Sequence, residues 1–176
     1  MLDFSKVKAE KLSKIYDVSK FDCGDGDLND FIKNDAFIYQ EKKLTTTTLF
    51  FYEENLIGFF SAAADSLKLN FEEKESYGIH QKRLEDVPAI KIARLAVDKN
   101  YQKQSVGTNI FKWCIGYILN CSDMVAIRFI TVDAYPDKVS FYQKFNFMIN
   151  QNRHYTKKSH HISMRYDLLN KETISP

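Results

Sequence analysis

One stretch, AIKIARLAVDKNYQKQSVGTNIFKWCIGYILN at residues 89–120, constrains the fold more than any other. Residues 89–97 are mostly apolar and β-branched at Ile90, Ile92 and Val97, which suits a strand covered on both faces. Residues 98–104 are polar and read as a tight loop. From residue 105 to 120, Val106, Ile110, Trp113, Cys114, Tyr117 and Ile118 recur at helical spacing, with Ser105 placed as an N-cap. A helix that starts at the end of a strand presents N–H groups with no intrahelical partner, and its dipole adds roughly half a positive charge there. An anion suits such a place. Gln102, Lys103, Gln104, Ser105, Val106, Gly107 and Thr108 supply the N–H groups; Gly107 permits close approach and Lys103 adds charge. A strand–loop–helix unit that binds nothing shows the same pattern. Neither G-x-x-x-x-G-K-[ST] nor G-x-G-x-x-G is present, so this is neither a nucleotide phosphate loop nor a dinucleotide fingerprint.

Arg94–Leu95–Ala96–Val97 followed by Gln102-x-x-Ser105-x-Gly107 resembles the acetyl-CoA loop of the GNAT N-acetyltransferases, whose pattern is [RQ]-x-x-G-x-[GA]. Ser105 stands where the first glycine is usual. At a positive φ serine costs on the order of 1 kcal/mol, and in a helical or N-cap conformation it costs nothing. The resemblance implies an α/β fold with a mixed, mostly antiparallel central sheet and helices on both faces. It also implies acetyl-CoA as cosubstrate, gripped by the loop and by the backbone of Leu95, Ala96 and Val97. The strand carrying Leu95 and Val97 is expected to part from the one carrying Ile130 and Asp133, leaving a cleft for the thioester. A second run, F-D-C-G-x-x-x-L-N-D-F-I from Phe21, resembles a GNAT subgroup that includes toxin-type acetyltransferases acting on aminoacyl-tRNA. That subgroup implies tRNA and an antitoxin protein as partners. A homodimer is compatible with the chain.

At 176 residues, one domain spanning 1–176 is the expectation, with enough length to bury a core. A first strand is expected around residues 11–16 and turn chemistry at residues 21–27. A helix follows from Leu28 to Leu44, then strands at residues 45–52 and 56–69. Gly58 inside the second of these marks a bulge or a close backbone approach. Residues 70–87 form a helix or a lid. Residues 126–132 read as a strand, 133–137 as a turn with Pro136 near a helix start, and 138–145 as a short helix. Asn146 is a left-handed cap after it. Residues 147–149 and 159–168 read as closing strands.

The net charge of +2 demands no polyanion, but its distribution is uneven. Residues 138–166 contain no Asp or Glu and carry Lys138, Lys144, Arg153, Lys157, Lys158 and Arg165. Such a run is a solvated face, a partner surface or a phosphate-facing patch. Cys23, Cys114 and Cys121 have neither disulfide nor zinc spacing, and His154, His160 and His161 lack a metal set, so no metal is expected. No signal peptide or long apolar run appears, which points to a cytoplasmic protein and no membrane partner.

The implied chemistry is direct attack of a neutral amine on an acetyl thioester. In Phe141–Tyr142–Gln143–Lys144–Phe145, Tyr142 matches the tyrosine that relatives place beside the CoA sulfur. A phenol with pKa about 10 can hydrogen-bond a thiolate whose conjugate acid has pKa about 8.5. Packing against Phe141 and Phe145 is the other reading of Tyr142. Arg94 is either an ion-pair member or a contact to an acidic acceptor. Asp133 is a CoA contact, an orienting partner of Tyr142 or a turn cap. No carboxylate lies in residues 89–97 to serve as base. At pH 7 a lysine is neutral in about 0.04% of molecules, against about 14% for an α-amine, a gap of about 3.5 kcal/mol. A site without a strong base therefore favours α-amines. Protein N-termini, small amines and a non-catalytic CoA-binding module remain alternatives.

Overall fold

A computed structural model describes residues 2–80, 84–156 and 160–170. One seven-stranded sheet has the order β1-β2-β3-β4-β5-β7-β6. Its strands are β1 (Val7–Lys11), β2 (Thr46–Tyr52), β3 (Asn55–Lys68), β4 (Asp86–Val97), β5 (Phe129–Ala134), β6 (Met148–Ile149) and β7 (Ile162–Asp167). The helices are α1 (Gly26–Asp30), α2 (Ala36–Glu41), α3 (Phe71–Ser76), α4 (Val106–Ser122), α5 (Val139–Gln143) and α6 (Arg153–Thr156). The β1–β2, β2–β3, β5–β7 and β6–β7 pairs are antiparallel. The chain divides into two compact units, Met1–Ala63 with Ile92–Tyr117, and Ala64–Lys91 with Ile118–Pro176.

In the first unit, alternation along β2 sends Leu49 and Phe50 to opposite faces. Leu49, Phe59 and Ala96 pack with Phe31, Ile32 and Ala36 of the α1–α2 segment. Phe50 and Phe60 instead meet Trp113 of α4, at ring-centroid distances of 5.1 and 5.8 Å. The helix expected from Leu28 to Leu44 runs from Gly26 to Glu41, interrupted by a π-helical turn at Phe31–Asp35. Gly58 combines both of its expected roles. Phe50 pairs with Gly58 and Phe51 with Leu56, so Ile57 bulges out of register. A Cβ on Gly58 would lie 2.6 Å from Ile110 Cδ1 and 2.8 Å from the Ala96 carbonyl oxygen, so α4 closes on the sheet only because glycine is there. The first strand is Val7–Lys11, not residues 11–16. After Lys11 the chain turns, burying Leu12 while Ile15 stays 83% exposed.

In the second unit, Leu67, Leu69, Ile79, Val87, Ala89 and Phe129 form a core around the chain that follows β3. The segment at residues 70–87 contains α3, started by a capping box in which Asn70 and Glu73 each accept the other's backbone N–H. Pro88 lies within β4, where its carbonyl accepts from the Arg128 N–H at 2.9 Å. β5 begins at Phe129 and includes Asp133, which pairs with Ser163 of β7; the expected turn therefore starts later. The expected strand at 159–168 is Ile162–Asp167, and α6 precedes it; Lys157, Lys158 and Ser159 lie outside the described residues.

Candidate active site

The first unit carries the loop at residues 98–105. Asp98 continues the sheet by donating its N–H to the Ile57 carbonyl at 2.9 Å. Ala96 turns its carbonyl toward Gly58, so Leu95 and Val97 present their backbone groups at the opposite edge of β4. Lys103 and Ser105 both have left-handed backbones, with φ of 60° and 62°. Alternating backbone hands of this kind turn successive N–H groups into an anion-binding concavity. Ser105 starts the helix by accepting the Asn109 N–H at 3.0 Å. Its position is an N-cap, but its φ is that of the glycine it replaces, so the strained reading of Ser105 is the correct one. Val106 is buried and contributes only backbone; Gly107 and Thr108 are half-buried in the first turn. A Cβ at Gly107 would meet only Val97 Cγ2, at 3.5 Å, which leaves open space for a ligand.

Gln102 is not directed outward to a ligand. Its Nε2 donates to the Cys23 carbonyl at 2.8 Å and to the Val97 carbonyl at 2.9 Å. Gln104 Nε2 donates to the Asn100 carbonyl at 3.1 Å. Asp98 is buried and accepts from the Asp22 and Asn100 N–H groups at 3.1 and 2.9 Å. The Asp22 carboxylate accepts from Lys99 Nζ, the Gly24 N–H and Asn29 Nδ2 at 2.6, 2.9 and 2.8 Å. Those bonds, chiefly the one from Lys99, hold its carboxyl well below the usual range, and Asp22 in turn raises Lys99. Asp22, Asp98 and Lys99 were not singled out from sequence as site residues. The strand-ending aspartate and the turn glycine at 24 were the available signals.

Arg94 is exposed, with its guanidinium 5.3 Å from the centre of the Phe31 ring and Nη1 donating to the Ala93 carbonyl. Among the described residues no carboxylate forms an ion pair with it.

The second unit carries Tyr142. The Phe147 N–H donates to the Tyr142 carbonyl and the Asn146 N–H to the Gln143 carbonyl, with Asn146 at φ 62°. These two bonds make a Schellman cap, as expected for Asn146. The half-buried Tyr142 ring lies 5.2 Å from Phe141 and 5.8 Å from Phe147. Asp133 is an exposed strand residue, not a turn cap, and accepts from Lys91 Nζ at 3.0 Å. Asp65 lies 3.7 Å from the same nitrogen. Burial alone would lower Lys91, but the two carboxylates outweigh it and raise its pKa.

Among the described residues of the basic run, Arg165 does not join an exposed face. Arg165 is 3% exposed and paired with Glu73 at 2.8 Å. Lys138 is paired with Asp137, while Lys144 is exposed. Among the described residues no cluster of His, Cys, Asp or Glu could hold a metal, and no helix is long and apolar enough to cross a membrane.

A left-handed loop at the end of a central strand, opening a long helix, is an arrangement suited to an anion. The acetyltransferase (GNAT) domain model matches residues 28–168, and the chain belongs to that family. A tRNA-acetylating toxin of Mycobacterium tuberculosis is 26% identical over 142 residues, covering 80% of this chain and 83% of that protein. AtaT complexed with acetyl-methionyl-tRNAfMet superposes with a TM-score of 0.76 at 18% identity, covering 92% of this chain and 94% of that one. An AtaT variant bound to the C-terminus of the antitoxin AtaR and acetyl-CoA gives 0.71 at 17% identity, covering 92% and 93%.

Proposed function

We propose that this chain transfers acetyl from acetyl-CoA to the α-amine of an aminoacyl-tRNA, and that an antitoxin protein controls it. The observation that carries the cofactor half is the pair of left-handed residues, Lys103 and Ser105, opening α4 at the end of β4. N–H groups of Lys103–Thr108 would hold the CoA pyrophosphate, and Lys103 would add charge. Leu95 and Val97 would pair with the pantetheine amides through backbone groups on the side of β4 turned away from β3. The acceptor half is supported by the tRNA-acetylating relative and by the lack of a carboxylate in the apolar stretch of β4 beyond Pro88.

In the reaction the neutral amine attacks the thioester carbonyl. The C–N bond forms, the C–S bond breaks, and the amine proton passes to water. Tyr142 serves the leaving sulfur: its phenol stabilises the thiolate charge that develops as C–S cleaves. Arg94, exposed and stacked on Phe31, is a cation available to an acidic acceptor such as a tRNA end. Asp133, exposed and ion-paired with Lys91, would contact CoA or orient Tyr142.

The test is CoA release and product mass with charged tRNA, free amino acids, peptides and polyamines offered in parallel. Acetylated aminoacyl-tRNA as the dominant product supports the reading. Turnover confined to peptides or polyamines overturns the acceptor assignment. Binding of acetyl-CoA with no turnover on any amine overturns catalysis.

A further inference from the structure

We infer that the amino-terminal turn Phe21–Gly24 is a brace that presets the cofactor loop, and that Gln102 is a positioning residue which spans it. The inference rests on the acetyl-CoA reading of that loop. It starts from a conflict between residue type and placement. Gln102 opens the loop, yet its amide nitrogen is spent on two protein carbonyls, Cys23 at 2.8 Å and Val97 at 2.9 Å. One donor group thus ties together three segments: the amino-terminal turn, the last residue of β4 and the start of the loop. The same turn is tied to the strand's end twice more. The Asp22 N–H meets buried Asp98, and the Lys99 N–H meets the Asp22 carbonyl at 2.8 Å. Lys99 Nζ closes the circuit on the Asp22 carboxylate. Immediately beyond, Lys103 and Ser105 hold left-handed backbones that non-glycine residues adopt at a cost. Such conformations persist only where the surroundings impose them, and the brace anchors Gln102, the residue immediately before them.

The chemistry of the brace position is specific. Two carbonyl oxygens must be served from one side chain by two N–H groups. Glutamine does this, and arginine also can; glutamate, an acceptor only, repels both, and leucine serves neither. A preset loop lowers the ordering cost of cofactor binding. The brace should therefore act on affinity for acetyl-CoA and not on the chemical step.

The experiment compares wild type with Gln102→Leu, Gln102→Glu and Gln102→Arg, using full-length protein and acetyl-CoA itself. Gln102 is exposed, and thermal melting checks that each variant is folded. Calorimetric Kd and the acetyl-CoA KM should rise about tenfold in Gln102→Leu and Gln102→Glu, the effect of two lost neutral hydrogen bonds, with kcat at saturation unchanged. Gln102→Arg should restore the affinity. In the absence of ligand, amide hydrogen exchange at residues 103–107 should accelerate about tenfold in Gln102→Leu. Unchanged loop exchange in Gln102→Leu overturns the brace, whatever happens to affinity, because a direct ligand contact leaves the unliganded loop as it was. Accelerated exchange in a protein whose wild type binds no acetyl-CoA keeps the brace and removes the cofactor reading on which its purpose rests.

Discussion

Arg165 tests the second unit most sharply, because sequence and structure assign it opposite roles. Its Nη1 lies 2.8 Å from Glu73 Oε1 and 2.8 Å from Asn150 Oδ1, and its Nε donates to the Tyr77 hydroxyl at 3.0 Å. The pair is 3% and 7% exposed, so water screens little of it. Replacing Arg165 by Met fills the volume but leaves the Glu73 carboxylate buried without its cation. Breaking a buried pair from one side costs about 3–5 kcal/mol. At about 2–4 °C per kcal/mol for a chain of this size, the melting point should fall by roughly 6–20 °C. Glu73 retains the Asn70 and Gln151 N–H groups as donors, at 2.9 and 3.3 Å, which places the loss toward the lower end. Glu73→Gln in the Arg165→Met background removes the stranded charge and keeps a capping-box residue, so it should recover part of the loss. Thermal and urea melts read both variants against the wild type, with tRNA affinity measured beside them. A melting point unchanged by Arg165→Met, with tRNA affinity lost instead, refutes the buried-pair account.

Three further outcomes follow from the site. Tyr142→Phe should keep the ring contacts, the melting point and the acetyl-CoA KM while kcat falls roughly 10²–10⁴-fold; a variant that loses stability but keeps its rate per folded molecule makes Tyr142 a packing residue. Ser105→Gly should relieve about 1–2 kcal/mol of left-handed strain and forfeit about 0.5–1 kcal/mol to glycine's backbone freedom, for a gain of up to a few degrees in melting point. A drop on calorimetry would mean the serine hydroxyl matters more than its φ. Gly58→Ala should cost about 1–3 kcal/mol through overpacking against Ile110 and Ala96 and weaken acetyl-CoA binding, since Ile110 lies one turn from the loop; unchanged melting and affinity would show that α4 yields freely.

The parts of the fold set by short-range chemistry were legible in advance. Residues 89–120, the Gly58 bulge and the Asn146 cap each follow from local rules of periodicity, close approach and left-handed backbone. What failed was decided at long range. Arg165 reads as one more cation in an acid-free run, because its partner Glu73 lies far away in sequence. The first strand was misplaced because Val7 and Ala9 find their place only by pairing with Tyr52 and Phe50. Asp133 reads as a turn residue until β7 arrives beside it. In the site, the loop was visible as a motif, but the side-chain direction of Gln102 was not. A pattern gives the residue type that a position tolerates, and both a ligand contact and a strut tolerate glutamine.

The circuit from Asp22 to Gln102 also bears on where this protein can be cut. The family-matched residues begin at 28, which is beyond Cys23 and beyond β1. A chain trimmed to that boundary would keep Gln102, Lys103 and Ser105 and the strand that leads to them. It would lack the carbonyl that Gln102 grips and the backbone N–H that Asp98 accepts, and it would expose β2 as a raw sheet edge. Such a fragment holds every residue of the recognised loop motif and none of the turn that sets the loop's shape. Proteolytic nicking between β1 and α1 would loosen the same turn in the intact protein, so the hydrogen bonds that Asp22 and Cys23 make to Asp98, Lys99 and Gln102 tie residues outside the family match to the loop inside it.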